Sequence, residues 1–197
     1  MATGPTLLVF CASGSGTLPA YTQAAARLGS LSAAAGVPLV YGAGKVGLMG
    51  ALADACLRGG GSLTGVIPRF MVERGWCHPR LTRLIVTSTL AERKQTMFRL
   101  SRGIIALPGG CGTFDELLEA ITMRQLGLYD YPVVILNTSG YFDSLLLQLE
   151  RAVADGFMPS QAHVLPADTL WSVVSTAAEA LARFLPNIPD HVAEPRR

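Results

Sequence analysis

The sequence predicts a single α/β domain, a doubly wound parallel sheet with a helical layer on each face (Rossmann-like, α/β/α). Three observations predict it. Strand-like and helix-like segments alternate along the chain. The strands are continuous apolar runs such as Leu7-Leu8-Val9-Phe10, not in-and-out alternations, which suits strands covered on both faces. Glycine turns follow Cys11, Tyr41 and Leu107, at the carboxyl edge of such a sheet, where its ligands bind. A chain of 197 residues holds one sizeable core and hardly two. Residues 1–185 are therefore expected to form one domain. Residues 186–197, with Pro186, Pro189 and Pro195, are expected to be a frayed tail.

In chain order, Thr6–Cys11 reads as a buried strand and Ala12–Gly16 as a turn. Pro19–Ala35 is a helix rich in Ala and Leu that Gly36 stops. Pro38–Tyr41 is a second strand, Gly42–Gly47 a glycine loop, and a helix then runs to Arg58. Ser62–Ile67 is the third strand. Pro68–Arg80 has no periodicity and is expected to be an irregular, mobile or substrate-covering loop. Arg83–Thr87 is a strand, Thr89–Arg102 a helix and Gly103–Leu107 a strand. Beyond the third glycine loop come a helix from Thr113 to Leu126, a strand over Tyr131–Asn137 and a helix over Tyr141–Asp155 stopped by Gly156. Gln161–Leu165 is a candidate edge strand, and Ser172–Leu185 is expected to be the last helix.

Composition narrows the function classes. Half the residues are hydrophobic and 15% are charged, an apolar balance that a buried subunit contact would explain. The net charge is +2, the only lysines are Lys45 and Lys94, and no stripe of Lys and Arg appears, which argues against nucleic acid as a partner. Cys11, Cys56, Cys77 and Cys111 are widely spaced with no CxxC pair, so neither a metal site nor a disulfide framework is expected. No basic leader precedes the first apolar run and no apolar run reaches membrane length, so the expectation is a cytoplasmic protein without a membrane partner.

The chain is organised around Leu107-Pro108-Gly109-Gly110-Cys111-Gly112-Thr113-Phe114-Asp115-Glu116, a strand end, a glycine loop and a helix start. Glycines let backbone N–H groups approach a ligand closely. The helix start adds unpaired N–H groups and the positive end of its dipole, so an anion, most plausibly a phosphate, belongs there. Glu116 then lies one turn in, beside the anion. Two explanations fit that spacing equally. Thr113 and Glu116 could form a capping box, or the carboxylate could act on a cation or a water.

Two further stretches carry possible chemistry. Gly42-Ala43-Gly44-Lys45-Val46-Gly47 matches GxGxxG between a strand and a helix, but the acid expected about 20 residues on is absent. A dinucleotide is thus weakly indicated, and the glycines could serve close helix–strand packing instead. Thr89-Leu90-Ala91-Glu92 is a possible capping box, and Arg93 and Lys94 follow it at the adverse positive end of a helix. A bound phosphate or a neighbouring carboxylate such as Glu116 would offset them; screened side chains in solvent are the alternative. His78, His163 and His191 are isolated, His78 reading as a solvated loop residue, and Cys111 as a loop filler.

With these residues in hand, Pro108-Gly109-Gly110-Cys111-Gly112-Thr113-Phe114-Asp115-Glu116 resembles the PGGxGTxxE signature of the LONELY GUY (LOG) family. These are cytokinin riboside 5′-monophosphate phosphoribohydrolases, often labelled lysine decarboxylases. Val9–Ser13, Val40–Gly44, Val46–Gly50, Glu92-Arg93-Lys94 and Gln125-Leu126-Gly127 extend the resemblance over about residues 6–185. It implies a Rossmann-like homodimer or higher homo-oligomer that hydrolyses the N-glycosidic bond of a nucleoside monophosphate, with no cofactor. It implies catalytic roles for Arg93 and Glu116 and phosphate binding by Gly109, Gly110, Gly112 and Thr113. Lys94, Asp115, Ser13, Gly44 and Thr122 complete the substrate-binding set it implies. The chain departs from the family at Leu90-Ala91, where Met-His is common, and near Gly75, where relatives place a substrate-binding glutamate. It departs again at Asp115 and at Met123-Arg124, so the preferred base is a separate question. The rivals are a nucleotide-binding protein without activity, a pyridoxal-phosphate lysine decarboxylase, for which only Lys45 or Lys94 could form the Schiff base, and a dinucleotide-dependent oxidoreductase.

Overall fold

A computed structural model describes residues 5–158 and 170–185. Its seven strands are β1 (Leu7–Phe10), β2 (Leu39–Tyr41), β3 (Leu63–Pro68), β4 (Arg83–Thr87), β5 (Ile104–Ala106), β6 (Val133–Leu136) and β7 (Ser172–Val174). All pair in parallel, in the order β4-β3-β2-β1-β5-β6-β7. The predicted doubly wound sheet is therefore the observed one. The order runs outward in both directions from β1, so the chain reverses direction between β1 and β5. Ligands of such sheets sit at that switch point.

Successive residues of one strand serve opposite layers, as a period of two requires. Leu7 and Val9 of β1, Leu39 and Tyr41 of β2, and Val134 and Leu136 of β6 pack with α1 (Pro19–Ala34), α2 (Gly47–Arg58) and α7 (Ala177–Ala182). Leu8, Phe10, Val40, Ile104, Val133 and Ile135 face the other way, onto α4 (Leu90–Leu100), α5 (Cys111–Gln125) and α6 (Asp143–Ala154). Each side chain of this size contributes about 1.5–3 kcal/mol when fully buried. The central strands read as unbroken apolar runs because both of their faces are covered. The edge strand β4 is covered less, and its Leu84 and Val86 remain exposed.

Three expectations are corrected. Ser172–Val174 does not begin the last helix; it is β7, paired with β6, and Thr176 caps the helix after it through a box with Glu179. Three β-branched or short residues continuing an apolar edge outweigh the helical pattern downstream. Pro68–Arg80 is not structureless, since Arg69–Glu73 forms α3. Helix α5 starts at Cys111, two residues before the expected Thr113. The proposed edge strand Gln161–Leu165, His163, His191 and the tail lie outside the described residues.

Candidate active site

The loops after β1 and β5 meet at the switch point and enclose a cavity of about 420 Å³. Ser13, Gly14, Gly110, Gly112, Thr113, Arg93 and Glu116 are among its walls. Gly110 is the N-cap of α5 and offers no side-chain cap. The first helical bond is from Phe114 N–H to Gly110 O, at 3.0 Å, so the amides of Cys111, Gly112 and Thr113 precede the i→i−4 ladder and point out of the helix end. These are the amides that the glycine spacing marks for an anion.

The other glycine loop is built differently. Leu48 N–H and Met49 N–H, at the start of α2, donate to Gly14 O (3.2 Å) and Ala12 O (3.0 Å). The amides of that helix end are occupied by the β1 loop. Gly47 has φ +63, and a Cβ there would stand 2.3 Å from Ser13 O. A Cβ on Gly42 would stand 2.0 Å from Nη2 of Arg93. The GxGxxG glycines thus serve close packing and make room for an arginine.

Arg93 is buried, and two strand-end carbonyls fix it: Nε donates to Val66 O at 3.1 Å and Nη2 to Gly42 O at 3.3 Å. Its Nη2 also lies 3.7 Å from Oε1 of Glu116, an ion pair too long for a hydrogen bond. Since α5 begins at Cys111, Thr113 is its third residue and Glu116 its sixth, so the Thr113–Glu116 capping box cannot form. Glu116 instead turns inward, is 7% exposed, and accepts no hydrogen bond among the described residues. Burial raises its pKa from 4.5 to about 7, Arg93 acting in the opposite direction. Cys11 in the same wall is held firmly as the thiol, by burial first and by Glu116 second.

Other expected site residues fall elsewhere. Lys94 donates to Asp115 Oδ2 at 2.9 Å and pairs with Glu119 Oε2 at 2.7 Å. Burial disfavours its charge, but those carboxylates prevail and raise its pKa. Neighbouring carboxylates therefore offset both cations, Arg93 through Glu116 and Lys94 through Asp115 and Glu119. Thr122 lies farther along α5, its hydroxyl donating to Leu118 O at 2.8 Å, and lines neither site cavity. Gly109 accepts from the Tyr141 hydroxyl and shapes the loop from behind. Cys111 is an exposed first residue of α5 at the cavity mouth, where loop filler had been expected.

A second chamber of about 410 Å³ adjoins the first, sharing Ser13, Met49 and Arg93 with it. Gly42, Gly44, Lys45, Val46, Ile67, Met71 and Trp76 complete its mostly apolar wall. Of these, the sequence marked only Gly44 as substrate-binding. Met71 and Trp76 belong to a segment without periodicity, and no spacing rule brings them to the site. A further cavity of about 580 Å³ between α4 and α5 is larger but less suited to an anion. Its Arg99 and Arg102 are bonded to Thr96 and Ser101, and no helix start opens into it.

The family model described as possible lysine decarboxylase matches residues 49–184. The cytokinin riboside 5′-monophosphate phosphoribohydrolase LOG2 of Arabidopsis thaliana is 43% identical over 157 residues, 80% of this chain and 74% of that one. LOG1 of the same plant is 40% identical over 160 residues, covering 81% and 75%. A probable enzyme of that name from Oryza sativa subsp. japonica, LOGL1, is 43% identical over 152 residues, covering 77% and 68%. Among solved structures, the molybdenum cofactor carrier protein of Chlamydomonas reinhardtii has the same fold, with a TM-score of 0.66 at 22% identity over 91% of this chain and 94% of that one.

Proposed function

Because the chain belongs to the LOG family, the group also described as possible lysine decarboxylases, we propose that it hydrolyses the N-glycosidic bond of a cytokinin riboside 5′-monophosphate. AMP is included as a second substrate, and the products are the free base and ribose 5-phosphate. One observation carries the mechanism: a buried carboxylate with no hydrogen-bond partner stands in the wall of the cavity that the free amides of α5 open into.

In this proposal the 5′-phosphate sits on the amides of Cys111, Gly112 and Thr113, where the helix dipole favours negative charge. The ribose lies across Glu116 and Arg93, and the base enters the apolar chamber behind Arg93. As the bond from C1′ to the base lengthens, positive charge grows on the sugar, as in glycoside hydrolysis. Glu116 stabilises that charge and takes a proton from the water that adds to C1′. The base leaves with the bonding electron pair and takes a proton from solvent, which is replaced by the proton that Glu116 later releases. Arg93, fixed by two carbonyls, orients the ribose hydroxyls and the departing base. A pKa near 7 lets Glu116 exchange its proton with solvent between turnovers.

The finer parts of the proposal are a homodimer and a cytoplasmic location. Leu84 and Val86 on the edge strand, Leu90 at the start of α4 and Leu118 on α5 are exposed apolar side chains that a second copy would cover. The four cysteines are all free, which suits a reducing compartment. Light scattering coupled to size exclusion should return twice the mass of the 20.8 kDa chain. For the activity, purified protein is mixed with AMP or isopentenyladenosine 5′-monophosphate, and chromatography follows free base. Release that Glu116→Ala abolishes supports the proposal. Binding of nucleotide without release of base points to a non-catalytic binding protein.

A further inference from the structure

Sequence alone places His78 in a loose loop, yet its side chain is 5% exposed and uses both ring nitrogens. Its Nδ1 accepts from Arg80 N–H at 3.2 Å. The ring proton therefore sits on Nε2, which donates to Asp54 Oδ1 at 3.3 Å. Asp54 also accepts from Arg80 Nη2, at 2.8 Å. It belongs to α2, the helix that brings Met49 to the junction of the two chambers.

The segment ending at this histidine is stitched to the loop that opens α2. Lys45 N–H donates to Trp76 O at 3.2 Å, Cys77 bridges Gly44 in antiparallel fashion, and His78 N–H donates to Ala43 O at 2.8 Å. Met71 comes before the stitch and Trp76 opens it, and both stand in the wall of the apolar chamber. The Arg74 guanidinium lies 5.2 Å from the Trp76 ring and 5.5 Å from that of Phe70, and stiffens the turn between them. Trp76 itself is 47% exposed, so packing alone does not fix it.

We propose that His78 is a positioning residue: by latching residues 74–80 onto Asp54 of α2, it holds Trp76 and Met71 as a fixed wall of the apolar chamber and so sets how strongly the enzyme prefers a base with an apolar substituent. This rests on the proposal that the chamber takes the base. His78 and Asp54 line neither chamber, so they act through the wall and touch no reacting atom. An apolar group in a fixed pocket discriminates by about 10- to 200-fold per methylene-sized difference, and a wall free to swing away forfeits it.

The test compares kcat and KM for AMP and for isopentenyladenosine 5′-monophosphate in wild type, His78→Ala, Trp76→Ala and the double variant. The latch predicts that His78→Ala raises KM for the isopentenyl nucleotide about tenfold, with kcat for AMP within twofold of wild type. The double variant should be no worse than Trp76→Ala, since one acts through the other. Asp54→Ala, on a partly exposed helix position, gives the same direction of change if His78→Ala does not fold. Acrylamide quenching supplies a readout independent of turnover. Trp76 should become more quenchable in His78→Ala or Asp54→Ala, with the buried Trp171 as internal reference. Unchanged quenching together with an unchanged ratio of KM values overturns the latch. Greater quenching in a protein that releases base from neither nucleotide leaves the latch standing and overturns the function on which its consequence rests.

Discussion

Glu116→Gln separates what the carboxylate does in catalysis from what it costs the fold. Burial lifts its pKa from 4.5 to about 7, against the pull of Arg93. A raised folded-state value means that the folded protein holds this proton more tightly than the unfolded chain does. Its stabilising effect is then fully present below pH 4.5 and is lost as pH rises through 7. A shift of this size corresponds to roughly 3 kcal/mol between those limits. Glutamine keeps the shape and does not titrate. The Tm of wild type relative to Glu116→Gln should therefore fall by about 6–12 °C between about pH 4.5 and pH 8, at about 2–4 °C per kcal/mol for a chain of this length. A pH series of calorimetric melts measures it, and a difference in Tm that stays flat across the series refutes the assignment of a strained, buried carboxylate. Activity should run the other way. In wild type kcat/KM climbs with pH through about 7, because the ionised form is the base, and in Glu116→Gln it drops by about 10²–10⁴ and loses that rise.

Three other outcomes follow from the same geometry. Gly42→Ala puts a methyl where Nη2 of Arg93 lies, so base release should slow by at least about tenfold while the melting temperature stays within a few degrees of wild type; unchanged turnover would show that the exact seat of Arg93 is immaterial. Lys94→Met removes an ion pair with two partly exposed carboxylates, so it should cost at most about 1 kcal/mol, less in high salt, and leave inhibition by ribose 5-phosphate within a few-fold; competition assays check it. Purified protein should show no pyridoxal absorbance and release no carbon dioxide from lysine, because Lys94 is held by Asp115 and Glu119 and the chamber beside Lys45 has no carboxylate among the described residues of its wall to hold a pyridinium nitrogen.

The sheet was legible because its signal is local and redundant. Runs such as Leu7–Phe10 and Val133–Leu136 are apolar at every position only when both faces are covered, and glycine turns at the strand ends mark the ligand edge. What could not be read depends on contacts across the fold. Ser172–Val174 is a strand because β6 offers it a partner edge. His78 is buried because Asp54, on the distant helix α2, lies within reach of its ring. The two glycine loops before helices look alike in sequence, and either could take a phosphate. They differ because the carbonyls of Ala12 and Gly14 have already occupied the amides of α2, a bond pattern that only the neighbouring β1 loop creates.

The two explanations of Glu116 are separated by a shift of three residues in the N-cap, from Thr113 to Gly110. Had α5 begun after Thr113, the hydroxyl would have capped the amide of Glu116, and the carboxylate would have folded back over the helix end, spent on local structure. With Gly110 as the N-cap, the cap position has no side chain to offer and the amides stay open for an outside anion. The same shift moves Asp115 outward to Lys94 and Glu116 inward to Arg93, so neighbouring acids meet opposite surroundings. Burial dehydrates the inner one and raises it toward neutrality. A glycine N-cap forgoes only a few tenths of a kcal/mol of capping, and the buried acid costs the fold more. Together they leave, at the start of one helix, open amides and a buried carboxylate, the two groups that the proposed reaction sets against the phosphate and the sugar cation.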